Sequence, residues 1–216
     1  MREKLLFALV LTGLAAPASA SIIDLRNTPG EFDQSSWGRP NTMIYAQSVI
    51  ADDINFATIE MRASGANILF NILITGDQPG AGGLGFVPDF SDVRYNSGQK
   101  VVNGNNIATL VNPNVGVSNG ERLFVVFEAF SYVNSGLGTM KCTAFNGPND
   151  WYLPGEFVFY NIAGEGKLTD TNPNTWGHRS ANNEDIALLM VFDNIPAPSS
   201  MSLLGLGGLV AARRRR

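Results

Sequence analysis

The chain carries one histidine, His178, and one cysteine, Cys142. Nucleophilic catalysis of the Ser-His-Asp or Cys-His kind would therefore have to run through His178. That residue sits in the stretch Asn174-Thr175-Trp176-Gly177-His178-Arg179, and no G-x-S-x-G elbow accompanies it. Zinc needs three or four ligands, which one His and one Cys cannot supply without carboxylates. A lone cysteine also forbids an intramolecular disulfide, and Cys142 reads as a small core residue. Glycoside hydrolysis needs two carboxylates about 5 to 9.5 Å apart. The acidic residues are numerous enough to form such a pair, but nothing in their spacing singles one out. Asp52-Asp53 and Asp89 with Asp92 are short acidic clusters of the kind that hold calcium or simply face solvent in turns. Calcium takes about six to eight oxygens, and no D-x-D-x-D-G loop is present.

Binding chemistry has more candidates. Trp37, Trp151, Tyr152 and Trp176 lie beside Gly, Asn, Asp or Pro. Exposed, such rings stack on the apolar C–H faces of sugars; buried, they plug the ends of a β-domain. Gly80, Gly82 and Gly85 fit G-x-G-x-x-G. A dinucleotide site needs a helix to follow, and Phe86-Val87-Pro88-Asp89 starts none, so the run reads as a hairpin loop.

The elements that would position these residues are strands. Hydrophobic residues make up 44% of 216, enough for one domain with a core, while charged residues reach only 16%. Abundant Gly (23) and Pro (11), with heavy use of Asn, indicates frequent turns. Short apolar or alternating runs at 22–25, 43–50, 56–62, 68–74, 107–110, 122–130, 156–162 and 185–192 predict strands. The run at 122–130 is continuously apolar from Leu123 to Phe127, which predicts a strand buried on both faces. Loops are expected at 76–85, 103–106 and 169–174. Together these predict an all-β fold, an antiparallel β-sandwich or jelly roll, over residues 21–194.

The two ends differ from the body. Arg2 and Lys4 precede an apolar stretch from Leu5 to Ala16, and Ala18-Ser19-Ala20 places small residues where a signal peptidase reads them. Residues 1–20 are thus expected to be a secretory signal peptide, cut between Ala20 and Ser21. At the other end, Pro196 and Pro198 favour an extended segment. Met201 to Ala212 is uncharged, and Arg213, Arg214, Arg215 and Arg216 close the chain. As a helix the twelve apolar residues reach roughly 18 Å, short of a hydrocarbon core of roughly 30 Å. The arginines hold the cytoplasmic side. The segment therefore suits a transient stop in the inner membrane. With the terminal segments set aside, nine basic residues face eighteen acidic ones, a net of −9. That balance argues against nucleic acid and against an anionic membrane surface as partners.

Residues 195–216 are similar to the PEP-CTERM sorting signal of Gram-negative bacteria, a tail also described as the ice-binding protein C-terminal domain. Pro196, Pro198 and Ser199 match its motif, Leu203-Leu204-Gly205-Leu206-Gly207 its short helix, and the four arginines its basic end. Ala197 stands where that family has glutamate. The resemblance implies processing by an exosortase-like membrane enzyme and delivery to the cell surface or extracellular matrix. The body, too, looks like the β-sandwich domains found ahead of such tails: Gln47-Ser48, Asp52-Asp53-Ile54 leading into 56–61, Gly155-Glu156-Phe157, Trp176 and Asp185-Ile186-Ala187-Leu188 fall in a similar order. Similar domains resemble carbohydrate-binding modules. The implied function is a non-catalytic surface or matrix protein, with exopolysaccharide as a ligand. The alternative is a secreted polysaccharide hydrolase using paired carboxylates. No cofactor is expected: the acidic clusters read as solvated turn residues, with a structural calcium ion as the alternative.

Intact mass of the protein recovered from the cell surface should show an N-terminus at Ser21 and a C-terminus lacking Arg213 to Arg216. A surface form that keeps the arginines would show that the tail is retained.

Overall fold

The computed structural model describes residues 20–80, 85–143, 150–161, 168–179 and 184–194. The expected signal-peptide residues up to Ser19, and the whole sorting tail from Ile195, lie outside them. Among the described residues, twelve strands form the body. They are β1 (Ser21–Asp24), β2 (Phe32–Gly38), β3 (Ile44–Ile50), β4 (Asn55–Pro79), β5 (Phe86–Asn96), β6 (Lys100–Val111) and β7 (Val115–Gly116). The last five are β8 (Arg122–Glu128), β9 (Leu137–Cys142), β10 (Phe157–Tyr160), β11 (Gly177–His178) and β12 (Leu189–Asp193). Every strand pairing is antiparallel, and all twelve strands belong to one sheet that curls around its core. Among the described residues no helix is long and apolar enough to cross a membrane.

The 25-residue strand β4 organises everything else. Along one side it pairs in turn with β12, β9 and β8. Along the other it pairs with β7, β6 and β5. Residues 86–116 thus run back along 55–79 as one long hairpin, whose tip lies between Pro79 and Phe86. This is where Gly80 and Gly85 fall, with the Gly80 N–H facing the Gly85 carbonyl at 3.4 Å, as a hairpin loop requires.

Several expectations need correction here. Residues 76–79, expected to open a loop, belong to β4. The segments 56–62 and 68–74 are not separate strands, and 103–106 is not a turn. Both breaks are kinks within continuous strands. The register slips between Ala63 and Gly65 and again between Gly65 and Ile68, opposite Gly104. Asn67 (φ 53°), Gly104 (φ 136°) and Asn106 (φ 51°) take the left-handed conformation there. Asn and Gly tolerate positive φ, so residues typical of turns serve here as β-bulges that bend a long strand. At Gly65 there is no room for more, since a Cβ would come within 2.4 Å of Ile68 Cδ1. The same bends let the first half of β4 face one flank of the curl and the second half the other.

Burial follows this geometry. Leu123, Val125 and Phe127 on β8 point into the main core with Phe56, Ile59, Met61, Met140 and Phe192 from the opposite flank. Phe124 and Val126 point the other way, into a second cluster with Ala46, Val158 and Trp176, closed by Val87 and Phe90 of β5. The run from Leu123 to Phe127 is therefore buried on both faces, as its unbroken apolarity predicts. Each such ring or branched side chain contributes about 1.5–3 kcal/mol on burial. The flank formed by β1, β12, the first half of β4, β6, β9 and β2 has only its inner face covered. Its outer face alternates polar residues such as Glu60, Arg62 and Ser64 and stays open to solvent.

One end of the main core is tied by a buried polar network. The Gln47 side-chain amide donates to Asp185 Oδ1 (2.8 Å), and its Oε1 accepts from the Ile186 N–H (3.0 Å). Asp185 Oδ2 accepts from the Tyr152 N–H (3.1 Å). Burial, reinforced by Asp150, pushes the Asp185 carboxyl up to about 7, from an ordinary value of 3.8. Across that window the folded chain keeps a proton that the unfolded chain has released, so this group's stabilisation falls as pH rises towards 7. In urea titrations the stability advantage of wild type over Asp185→Asn should shrink from pH 4 to pH 7. At the acidic end the variant should be weaker by on the order of 1–3 kcal/mol, since an amide cannot offer both acceptors. A constant gap across the range would oppose this.

Candidate functional site

The aromatic residues singled out in the sequence are not brought together on one exposed face. Trp37 is fully buried and packs edge-on against Phe70 at 4.9 Å. Trp176 stacks with Phe90 and leans on Tyr160 in the second cluster. Tyr152 is buried, and its hydroxyl accepts from the Ile50 N–H at 2.9 Å. Trp151 is half-buried against the main core. The three buried rings act in packing, so their faces are not offered to a sugar in this conformation.

The acidic clusters are occupied by local contacts. Asp52 accepts from the Ser21 hydroxyl, Asp53 from the Ile54 N–H, and Asp89 from both the N–H and hydroxyl of Ser91. Asp92 pairs with Arg94 at 2.8 Å, and the guanidinium holds its carboxyl below the usual range. Among the described residues no three His, Cys, Asp or Glu side chains are grouped to hold a metal. Cys142 is fully buried, and burial pushes its thiol well above the ordinary value. His178 lies in β11, opposite Val158. Ala20 is exposed, immediately before β1, and Ser21 opens that strand. Pro196, Ala197, Pro198, Ser199 and the four terminal arginines lie outside the described residues, as does Ala18.

Two of the concavities among the described residues lie on the open flank and at the seam. The first is a groove of about 450 Å³ on the open flank. The β4 and β6 bulges shape its floor with Arg62, Ser64, Asn105 and Asn106, while Asp33 of β2 and Lys141 of β9 form the opposite wall. Asn27 and Glu31 close one end. Its charges are mixed. Lys141 Nζ lies 3.1 Å from Asp33, and Arg62 Nε lies 3.5 Å from Glu60. The Asn106 N–H donates to the Ser64 hydroxyl at 2.8 Å, fixing the bulge. Glu31 Oε1 is buried and accepts no hydrogen bond. Such a surface of amides, hydroxyls and paired charges can exchange hydrogen bonds with a hydroxyl-rich ligand. Sequence reasoning missed all of these residues. The signal was the alternation Glu60, Arg62, Ser64 in an otherwise apolar strand, which marks a solvated face.

The smaller concavity, about 260 Å³, lies along the seam where the curl fails to close. The edge of β2 there approaches β3 and β10 of the opposite flank. It is joined to them near Thr42, whose N–H donates to the Ser36 carbonyl, and by the Tyr45 hydroxyl, which donates to the Ser35 carbonyl at 2.9 Å. Burial pushes Tyr45 up to about 12, so it stays a neutral donor. Across the gap stand Asn161, bonded to Thr42 at 2.6 Å, Phe159 and Arg179.

Comparison with known protein families adds one observation. Residues 194–216 carry a PEP-CTERM protein-sorting motif. That match is confined to the tail; a motif of this kind implies processing by an exosortase-type system and is consistent with targeting outside the cytoplasm. No curated protein and no solved structure matches the chain.

Phe159 owes its place to Gly177, the residue opposite it in the β10–β11 pair. A Cβ at Gly177 would come within 2.4 Å of the Phe159 ring. Gly177→Ala should therefore displace that ring and lower stability by about 1–3 kcal/mol in chemical denaturation. An unchanged midpoint would show that the ring is free to move.

Proposed function

We propose that this chain is an exported cell-surface or extracellular-matrix protein, cleaved by signal peptidase and then sorted and cut at its tail by an exosortase-like membrane enzyme. Its domain, read as an antiparallel sandwich or jelly roll, is a non-catalytic binding module for exopolysaccharide. The sorting motif at 194–216 supports the address. The observation that carries the binding role is the open-flank groove, where Glu31 leaves a buried acceptor unpaired beside Arg62, Ser64, Asn105 and Asn106. An uncovered sheet face beside a well-covered one suits a chain-like, hydrated ligand laid across strands.

A hydrolytic role fits the same groove less well. Its two acids, Glu31 and Asp33, are only two residues apart in the chain, and Asp33 is paired with Lys141. Glycoside cleavage needs carboxylates on both sides of the scissile bond.

The exported protein should bind polysaccharide extracted from the producer's own matrix. Arg62→Ala combined with Asn105→Ala should weaken that binding at least about tenfold, the scale of one or two lost charge-assisted hydrogen bonds, without shifting the unfolding midpoint by more than a surface change does. Equal binding by the double variant would remove the groove from the account. Release of reducing ends from the polysaccharide would favour the hydrolase.

A further inference from the structure

We propose that the seam cleft is a second ligand site, taking a single carboxylate-bearing sugar ring, a uronosyl unit, with the Arg179 guanidinium as its carboxylate anchor. It is separate from the open-flank groove and lies on the other side of β2. Its occupant is set by size, wall chemistry and charge.

Size comes first. At about 260 Å³ the cleft lies below the roughly 300–1,000 Å³ typical of drug-sized sites, which limits it to about one ring. Wall chemistry narrows the class. Gln34, Ser36 and Asn161 present amide and hydroxyl groups, which match sugar hydroxyls as both donors and acceptors. Phe159 supplies an apolar wall for the C–H surface of a ring.

Charge selects the acid sugar. Arg179 is held by its backbone N–H, which donates to the Phe157 carbonyl at 2.8 Å, and its guanidinium lies 5.4 Å from the Phe159 ring centroid. The carboxylate paired with it is Glu184, at 3.8 Å, beyond hydrogen-bond reach. Glu184 is itself fully buried, with both oxygens unbonded, and burial raises its carboxyl towards the neutral form. The cation is thus poorly neutralised from within. A guanidinium fork matches a planar carboxylate in a bidentate pair. One such fork balances the single charge of a uronate, whereas a phosphate dianion would leave charge uncompensated.

Backbone strain marks the same place. Ser36 has φ 73°, in the β2 bulge where the register slips between Ser35 and Trp37. A serine held there carries a cost that Gly or Asn would not, and such outliers concentrate at ligand sites. The bulge sends Trp37 into the core and leaves the residues before it along the cleft.

The test uses the exported protein with glucuronate, glucose and glucose 6-phosphate as probes, in calorimetry at low ionic strength. Glucuronate should bind at least about tenfold more tightly than either comparator. Arg179→Gln should lower glucuronate affinity at least about tenfold, in line with loss of a charge-assisted pair, while Arg62→Ala in the groove leaves it unchanged. Should Arg179→Gln not fold, Gln34→Ala, on the β2 wall of the cleft, should still weaken glucuronate several-fold. Equal affinity for glucose, tighter binding of glucose 6-phosphate, loss on Arg62→Ala, or no effect of either cleft variant would each overturn the assignment. Because polysaccharide binding by the groove reads out through Arg62 and Asn105, either site can fail without the other.

Discussion

The structure depends on how one long strand bends. β4 supplies pairing partners to both flanks of the curl, so its direction at each point decides where β12, β9 and β8 can lie. A straight 25-residue strand would span about 80 Å at roughly 3.3 Å per residue, far too long for one core to cover. Bulges at Gly65 and at Ile74–Gly76 break it into segments that share a hydrophobic interior. The returning strand needs a matching break, and Gly104 with Asn106 provides it. Hydrophobic burial stabilises the curl only because the backbone can kink at these few positions without losing the ladder on both sides.

That bend also accounts for the asymmetry of the two flanks. β3, β8 and β10 are covered on both faces, because β5 and the segment around Trp176 fold over their outer side. The other flank has no second cover. Its bulges leave Arg62, Ser64, Asn105 and Asn106 on an open surface, and its last strand, β2, borders the seam, bridged there at Trp37 and Thr42. Both concavities are therefore by-products of the same closure problem: a sheet that curls far enough to bury its core, yet not far enough to become a barrel.

The buried polar groups show how the seam and the ends are held in place of a full hydrogen-bond ladder. Gln47 and Asp185 join the flanks at one end. Glu128, bonded to Asn71 and to the Ser131 N–H, anchors the turn after β8. Such groups cost desolvation, which is why the carboxyls of Glu128 and Asp185 are driven towards their neutral forms. They specify which loop meets which strand, a choice that apolar contacts alone leave degenerate.

Composition and patterning determined the all-β class of this protein, and its last residues carry a sorting motif. Alternation and turn residues suffice for antiparallel β structure, because side-chain period and backbone tolerance are local properties. The unbroken apolar run from Leu123 to Phe127 likewise announced a doubly covered strand. The tail is legible because a sorting enzyme reads a short, contiguous stretch; its motif, apolar run and arginines need no fold to be recognised. Tertiary structure alone decided the rest. Asn67, Gly104 and Asn106 look like turns in one dimension, and only pairing with a partner strand makes them bulges. Trp37 and Trp176 look like ligands until packing places them in the interior. The residues of the groove and the seam come from four or five separate segments each, so their proximity exists only once β4 has bent and the sheet has curled.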